Sequence, residues 1–295
     1  MTTYTGTYTA LVTPFRKGRV DEQAFLKLFQ EQVRGGVDGV VPVGTTGESP
    51  SLGFAEHIRV IELAVQAAKG RVKVLAGTGA NSTAEAIHLT KAAEAAGVDG
   101  SLQVAPYYNK PTQEGVFQHF KKIARATKLP IILYSIPGRC SIAIEVSTVQ
   151  RLTKVCKNIV GIKEAGGDAD RVSRLRAALD QRFTILSGDD ALTLPFMAVG
   201  AEGVISVASN IIPRQIAKMV DAYATGKPDA ALKLHQKYYP MFKDLFIETN
   251  PVPTKAALAM LGKCEEEYRL PLCKMSVANR AQLAGTLKAC GVLKK

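Results

Sequence analysis

No uninterrupted apolar run in this chain reaches membrane-spanning length, no two cysteines form a C-x-x-C pair, and no block of like charge stands along it. The first absence excludes a transmembrane helix, which needs roughly 20 consecutive apolar residues. The second, with only Cys140, Cys156, Cys264, Cys273 and Cys290 present, excludes a disulfide framework. Those five read as reduced thiols, and Met1 to Gly6 has neither a basic nor an apolar leader pattern, so the expected location is the cytoplasm. None of the four histidines (His57, His88, His119, His235) stands in an H-x-x-x-H arrangement, so no catalytic metal is expected. Gly77-Thr78-Gly79 lacks the last glycine of a dinucleotide fingerprint, so no nicotinamide is expected either; the reading is an enzyme without cofactors.

What the chain has in excess is positive charge, a formal +12. Lysines and arginines fall in ones and twos, with no basic tail and no stripe interleaved with aromatics. That pattern is a basic solvated surface, with no nucleic-acid and no membrane partner, although such a field helps draw in small anions. At 295 residues and 46% hydrophobic composition, the length suits a single β/α barrel.

A four-residue phrase recurs: Gly36-Val37-Asp38-Gly39, Gly97-Val98-Asp99-Gly100 and Gly200-Ala201-Glu202-Gly203, each followed by an apolar run. A glycine just past a helix can adopt the left-handed conformation that closes the last turn before a buried strand. The repeated junction implies a repeated βα unit. Eight short apolar runs are candidate strands: residues 8–12, 40–43, 72–76, 102–104, 131–134, 159–162, 183–186 and 204–207. Helical spacing lies between them, with Phe25, Leu28, Phe29 and Val33 on one face, then Ile58, Ile61, Val65 and Ala68, later Ile216, Met219, Val220 and Tyr223. Ser82-Thr83-Ala84-Glu85 has the form of a capping box. Eight alternating units predict an α/β fold, a closed (β/α)8 TIM barrel over residues 1–227. Beyond it, residues 228–295 read as a C-terminal extension of three helices, the second opening at Asn250-Pro251-Val252-Pro253.

Barrel enzymes place their chemistry at the C-terminal ends of the strands. Lys163 ends the run 159–162 and is expected to project into the mouth. Burial disfavours its ammonium form and leaves an amine able to attack a ketone. A salt bridge to Glu164 or a snorkelling side chain is the competing reading, and strand position alone leaves both open. Tyr134, at another strand end, could move protons, with Thr45 as a relay partner. Thr46 and the glycine-flanked backbone of 44–48 could bind a carboxylate, unless this is simply a tight turn. Arg139, five residues after Tyr134, has the donor fork for a carboxylate, a lone surface arginine being the competing reading. Asp189 and Asp190 would repel phosphate and read as helix caps.

These residues carry a resemblance. Gly44-Thr45-Thr46-Gly47-Glu48-Ser49, Pro106-Tyr107-Tyr108-Asn109-Lys110-Pro111, Tyr134-x-x-Pro137-x-Arg139, Gly161-Ile162-Lys163-Glu164-Ala165, Ser187-Gly188-Asp189-Asp190 and Asn250-Pro251-x-Pro253 stand in one order along the chain. With them the chain resembles, over essentially its full length, the dihydrodipicolinate synthase family of pyruvate-dependent class I aldolases. The resemblance implies a Schiff base between Lys163 and pyruvate, an enamine that adds to L-aspartate 4-semialdehyde, and cyclisation that frees the lysine. It implies a proton relay of Tyr134, Thr45 and Tyr108, with Tyr108 reaching into a neighbouring subunit. Thr46 would bind the pyruvate carboxylate and Arg139 that of the semialdehyde, with the backbones of Gly188 and Ile205 lining the pocket. It also implies a homo-oligomer, a dimer at least and usually a tetramer.

Ser135 departs from the asparagine often found in the family, with little consequence expected. An allosteric lysine site would use Ser49, His57, Asn81, Glu85 and Tyr107. Pro50 and Phe54 stand where sensitive members commonly have alanine and histidine, which leaves feedback control open. The nearest alternative is a lyase of the same superfamily acting on N-acetylneuraminate or a 2-keto-3-deoxy sugar acid; Thr45 and Arg139 weigh against it. A barrel that has lost catalysis and binds nucleic acid is the alternative from another class, weakened by the filled catalytic positions.

Overall fold

In the computed structural model, which describes residues 4–294, the eight runs become parallel strands: β1 Gly6–Ala10, β2 Gly39–Val41, β3 Lys73–Gly77, β4 Gly100–Val104, β5 Ile131–Ser135, β6 Ile159–Glu164, β7 Thr184–Ser187 and β8 Gly203–Ser206. Each pairs with its sequence neighbours, and β8 pairs back onto β1 with Thr9 opposite Ser206, so the sheet closes. Closure sorts the apolar side chains into two cores. Phe25, Phe29, Ile61, Phe120 and Ile162 lie in the outer one under the helices. Tyr8, Leu75, Ile132, Tyr134, Leu186 and Ile205 fill the barrel itself.

The recurring junction works as expected. Gly36 and Gly97 close helices α1 (Glu22–Gly35) and α3 (Thr83–Ala96) at φ 80° and 87°. The acid of the phrase has a further role that its pattern does not announce. Asp38 accepts from Thr7 N, and Asp99 from Val74 N, each at 2.7 Å, fastening strand starts at the barrel's lower rim.

Three strands stop short of the expected runs. β1 ends at Ala10 and β2 at Val41. Val43 is left-handed at φ 48°, because the chain turns there across the mouth. Val207 leaves β8 with helical angles and opens a one-turn helix, Ala208–Asn210. Apolar character alone therefore overran the strands where buried loops begin. In α2 (Phe54–Ala68) the buried stripe is rotated to His57, Val60, Ile61, Ala64 and Ala68, leaving Ile58 and Val65 only partly covered. That rotation brings His57 Nε2 within 2.9 Å of Gly77 O. Only the hydroxyl half of the expected capping box forms, Ser82 Oγ accepting from Glu85 N at 3.5 Å.

After the helix Pro213–Ala224 come three more, Pro228–Asp244, Val252–Met260 and Val277–Ala289. A hairpin of Phe15–Arg16 with Arg19–Val20, too short to show periodicity, lies outside the barrel. Glu267 accepts from Lys17 N and Gly18 N at 2.8 and 2.6 Å, which laces the C-terminal segment to that hairpin. Among the described residues no helix is long and apolar enough to cross a membrane.

Candidate active site

Strands β5 and β6 bring Tyr134 and Lys163 to the same level as register partners. Strict alternation would not. Ile131 and Ile159 are partners that both face the outer core, and counting by twos from Ile159 turns Lys163 outward as well. The register slips by one residue just after Ile131, so that Gly161, not Val160, stands opposite Ile132. This bulge returns Lys163 to the interior and sends Ile162 to the outer core. Glycine suits the position, since a Cβ on Gly161 would lie 2.8 Å from both Ile132 Cδ1 and Thr184 O. Glu164 faces outward, where Arg171 Nε and Gly166 N each donate to it at 2.8 Å. A Lys163–Glu164 salt bridge is thereby excluded.

Lys163 is only 5% exposed, forms no ion pair among the described residues, and holds its Nζ 4.2 Å from the centre of the Tyr134 ring. Burial pulls its amine down to about 7; the Asp190 carboxylate opposes this and the Arg139 guanidinium reinforces it. A large fraction is then neutral and nucleophilic near neutral pH. Burial pushes the Tyr134 phenol up to about 12, against the influence of Arg139 and of a side-chain hydrogen bond with Thr45. The phenol keeps its proton and can lend it. Gly188 gives the lysine room: a Cβ there would come within 2.9 Å of Lys163 Cε, while its N–H donates to Glu164 O at 2.7 Å. Ile205, on β8, packs its side chain in the inner core with Tyr134.

The segment 44–49 is a double turn, with Gly47 N and Ser49 N donating to Gly44 O at 3.0 and 3.3 Å and Glu48 N to Thr45 O at 3.0 Å. Those donors are consumed inside the turn, whereas the amides of Thr45 and Thr46 have no backbone partner among the described residues. Two residues from the C-terminal part of the chain hold this segment, Asn250 in the turn before the helix Val252–Met260 and Lys255 on it. Asn250 Nδ2 donates to Thr46 Oγ1 at 2.9 Å, and Lys255 Nζ donates to Glu48 Oε1 at 2.6 Å. Arg139, on the single turn Pro137–Cys140, donates from Nη2 to Asn250 O at 3.0 Å. A mouth cavity of about 220 Å³ is lined by Thr45, Glu48, Arg139, Asn250, Leu270 and Pro271. Sequence reasoning quoted Asn250 only as part of a motif and missed Lys255; residues more than 200 positions from their partners carry no local signal.

Tyr108 stands apart from this cluster, 90% exposed and left-handed at φ 72°. Ser49, His57, Glu85 and Tyr107 line a separate groove of about 280 Å³ together with Pro50 and Phe54. Asn81 is beside it, its carbonyl accepting from Asn109 Nδ2 at 3.0 Å. Of the two aspartates read as caps, Asp189 caps its own short helix at Ala191 N, 2.8 Å. Asp190 does not: buried, it accepts from Ser206 Oγ at 2.5 Å and from Val207 N and Ala208 N at 2.9 Å each, holding the turn that follows β8. Ser135 likewise serves locally, accepting from Ile144 N at 3.3 Å. Among the described residues no three His, Cys, Asp or Glu side chains come together as metal ligands.

A buried amine whose charged form is disfavoured, at the C-terminal mouth of a closed parallel barrel, is the equipment of the β/α-barrel enzymes that condense carbonyl compounds. Residues 3–290 match the dihydrodipicolinate synthetase family. Over 291 residues the chain is 52% identical to the 4-hydroxy-tetrahydrodipicolinate synthase of Endomicrobium trichonymphae, covering 99% of this chain and 100% of that one. The solved 4-hydroxy-tetrahydrodipicolinate synthase of Methylacidiphilum fumariolicum SolV matches with a TM-score of 0.97 at 56% identity, over 97% of this chain and 96% of that one. Dihydrodipicolinate synthase from Aquifex aeolicus matches with a TM-score of 0.97 at 49% identity, over 99% and 100%. The chain belongs to the dihydrodipicolinate synthetase family.

Proposed function

We propose that this chain condenses pyruvate with L-aspartate 4-semialdehyde to 4-hydroxy-tetrahydrodipicolinate, a lyase step of lysine and diaminopimelate biosynthesis, through a Schiff base on Lys163. The observation that carries this is the buried amine of Lys163, drawn down to about 7 beside the protonated phenol of Tyr134. The neutral amine adds to the keto carbon; the carbinolamine then loses its hydroxyl as water, with the proton supplied through Tyr134 and Thr45. Loss of a methyl proton gives the enamine, whose carbon attacks the semialdehyde, and closure by the substrate amine releases Lys163. Thr46 is read as the ligand of the pyruvate carboxylate, Arg139 as that of the semialdehyde. Treatment with borohydride and pyruvate is expected to add a reduced pyruvate adduct at Lys163, read by peptide mass. An unmodified Lys163 at saturating pyruvate would refute the mechanism.

Arg139→Ala is expected to raise KM for the semialdehyde roughly ten- to hundredfold, the worth of one charge-assisted contact, with a much smaller change for pyruvate. Because Arg139 also helps hold the Lys163 amine low, the acid limb of the rate profile should move to higher pH. Equal effects on both substrates would contradict the role. Offering pyruvate with the semialdehyde and, separately, N-acetylneuraminate or 2-keto-3-deoxy sugar acids separates this reading from the lyase alternative, which turnover of the sugar acids alone would favour.

A cytoplasmic homotetramer, a dimer of dimers, completes the reading, with the barrel at residues 1–227 and the helical extension at 228–295. Tyr108, exposed at the rim, is read as entering a neighbouring copy's site as the third relay member. The groove of Ser49, His57, Glu85 and Tyr107, with Asn81 nearby, is read as the family's lysine site.

A further inference from the structure

We infer that Asn250 is a positioning residue that fixes the Thr46 hydroxyl as a hydrogen-bond donor toward the carboxylate of the keto acid. The inference rests on reading Thr46 as that carboxylate's ligand.

A hydroxyl has one hydrogen and two lone pairs, so what it shows a ligand depends on what its other neighbour takes. Here the neighbour is an amide held at three points. Asn250, 4% exposed, donates from Nδ2 to Thr46 Oγ1 at 2.9 Å. Its Oδ1 accepts from Thr254 Oγ1 at 3.1 Å, one helical turn further on. Its backbone carbonyl accepts from Arg139 Nη2 at 3.0 Å. Thr254 is fully buried and sits beside Lys255, which is pinned to Glu48. With Oδ1 taken by the Thr254 hydroxyl, the Nδ2 end of the amide is the one that faces Thr46.

With the N–H end on Thr46, a lone pair of the hydroxyl is occupied and its hydrogen is left for an anion. With the amide reversed, the hydroxyl would donate to Oδ1 and turn lone pairs on the carboxylate, which repel it. One amide orientation thus separates a binding site from a repulsive one. The same residue anchors Arg139 through its carbonyl, so both groups read as carboxylate ligands are referred to a single point in the turn that opens the helix Val252–Met260. On this view the extension sets substrate affinity and leaves the amine chemistry to the barrel.

Asn250→Leu keeps the approximate bulk of the side chain and removes its donor without adding charge beside the anion. Pyruvate titrations of the borohydride-trapped adduct, with steady-state KM and kcat, should show the half-saturating pyruvate concentration rising roughly ten- to hundredfold. Adduct yield at saturating pyruvate should be retained, which general damage to the site would not allow. Thr46→Val should raise the requirement by itself, and the double variant should need no more pyruvate than Thr46→Val alone. A further rise in the double variant, or an unchanged requirement in Asn250→Leu while Thr46→Val is impaired, overturns the positioning role and leaves the Thr46 reading intact. An unchanged requirement in Thr46→Val overturns that reading and this inference with it. Should circular dichroism show that Asn250→Leu does not fold, Thr254→Val carries the same comparison. It frees the amide to reverse, and its expected rise in pyruvate requirement must vanish in the Thr46→Val background.

Discussion

Lys163→Met is expected to abolish turnover and the trapped pyruvate adduct, and at the same time to make the protein more stable. Among the described residues no other lysine is buried in the barrel mouth, so covalent capture has no substitute. Stability moves the other way because the lysine is buried without an anionic partner at ion-pair distance, over a tyrosine ring and under a glycine. Its folded-state pKa of about 7 lies well below the ordinary 10.5, so between these values the unfolded chain binds more protons than the folded one. Folding stability contributed by this group therefore increases with pH across that window, and the full penalty is present below about 7. Methionine has nearly the same length and no charge to desolvate, and it adapts to irregular space. Urea unfolding at pH 6.5 and at pH 9.5 is the measurement. The stabilisation should be on the order of a few kcal/mol at the lower pH, at ~1.4 kcal/mol per unit of displaced pKa, and should fade at the higher one. A variant less stable than the parent at both pH values would show that the amine is not held under strain, and with it the account of its nucleophilicity would fall.

How much of this was legible beforehand depends on the range of the interaction concerned. The barrel could be read from the Gly36, Gly97 and Gly200 junctions and the apolar runs, since helix closure and strand burial are decided within a few residues. The candidate site could be read as strand-end residues once a barrel was expected, and the motif set around Lys163 pointed to one family. The bulge at Val160 and Gly161 could not, because register is a property of two strands and only β5 reveals that β6 carries an extra residue. By strict alternation from Ile159 the expectation for Lys163 would have failed; it holds because Val160 and Gly161 both face inward. Val43 and Val207 were drawn into strands because apolarity does not distinguish a buried strand from a buried turn. Asp190 looked like a cap for the helix it precedes, whereas it caps the turn after the next strand, at Val207 and Ala208. Asn250 and Lys255 were beyond any local rule, separated from Thr46 and Glu48 by 204 and 207 residues.

The pair formed by Lys255 and Glu48 leads to the second large expected effect. Lys255→Met should lower folding stability by about 3–5 kcal/mol, the usual consequence of removing one member of a buried ion pair. The two side chains are 0% and 1% exposed, so the stranded carboxylate would keep only the Arg269 N–H, at 3.3 Å. Glu48→Gln should cost less. It leaves an acceptor for Lys255, whose ammonium also lies 4.2 Å from the centre of the Phe15 ring and 5.3 Å from that of Tyr268. The unequal outcome follows from which charge is orphaned and how many alternative partners it has. Replacing both by apolar residues should recover part of the loss, since the desolvation of two charges is then avoided. Urea unfolding of the three variants tests the order, and a Glu48→Gln variant less stable than Lys255→Met would contradict it. Glu48 is left-handed at φ 56° and closes the segment that presents Thr45 and Thr46. Loss of its anchor should therefore raise the pyruvate requirement of Lys255→Met even where the protein remains fully folded. An unchanged requirement there would mean that the turn holds its own shape and that the ion pair contributes stability alone.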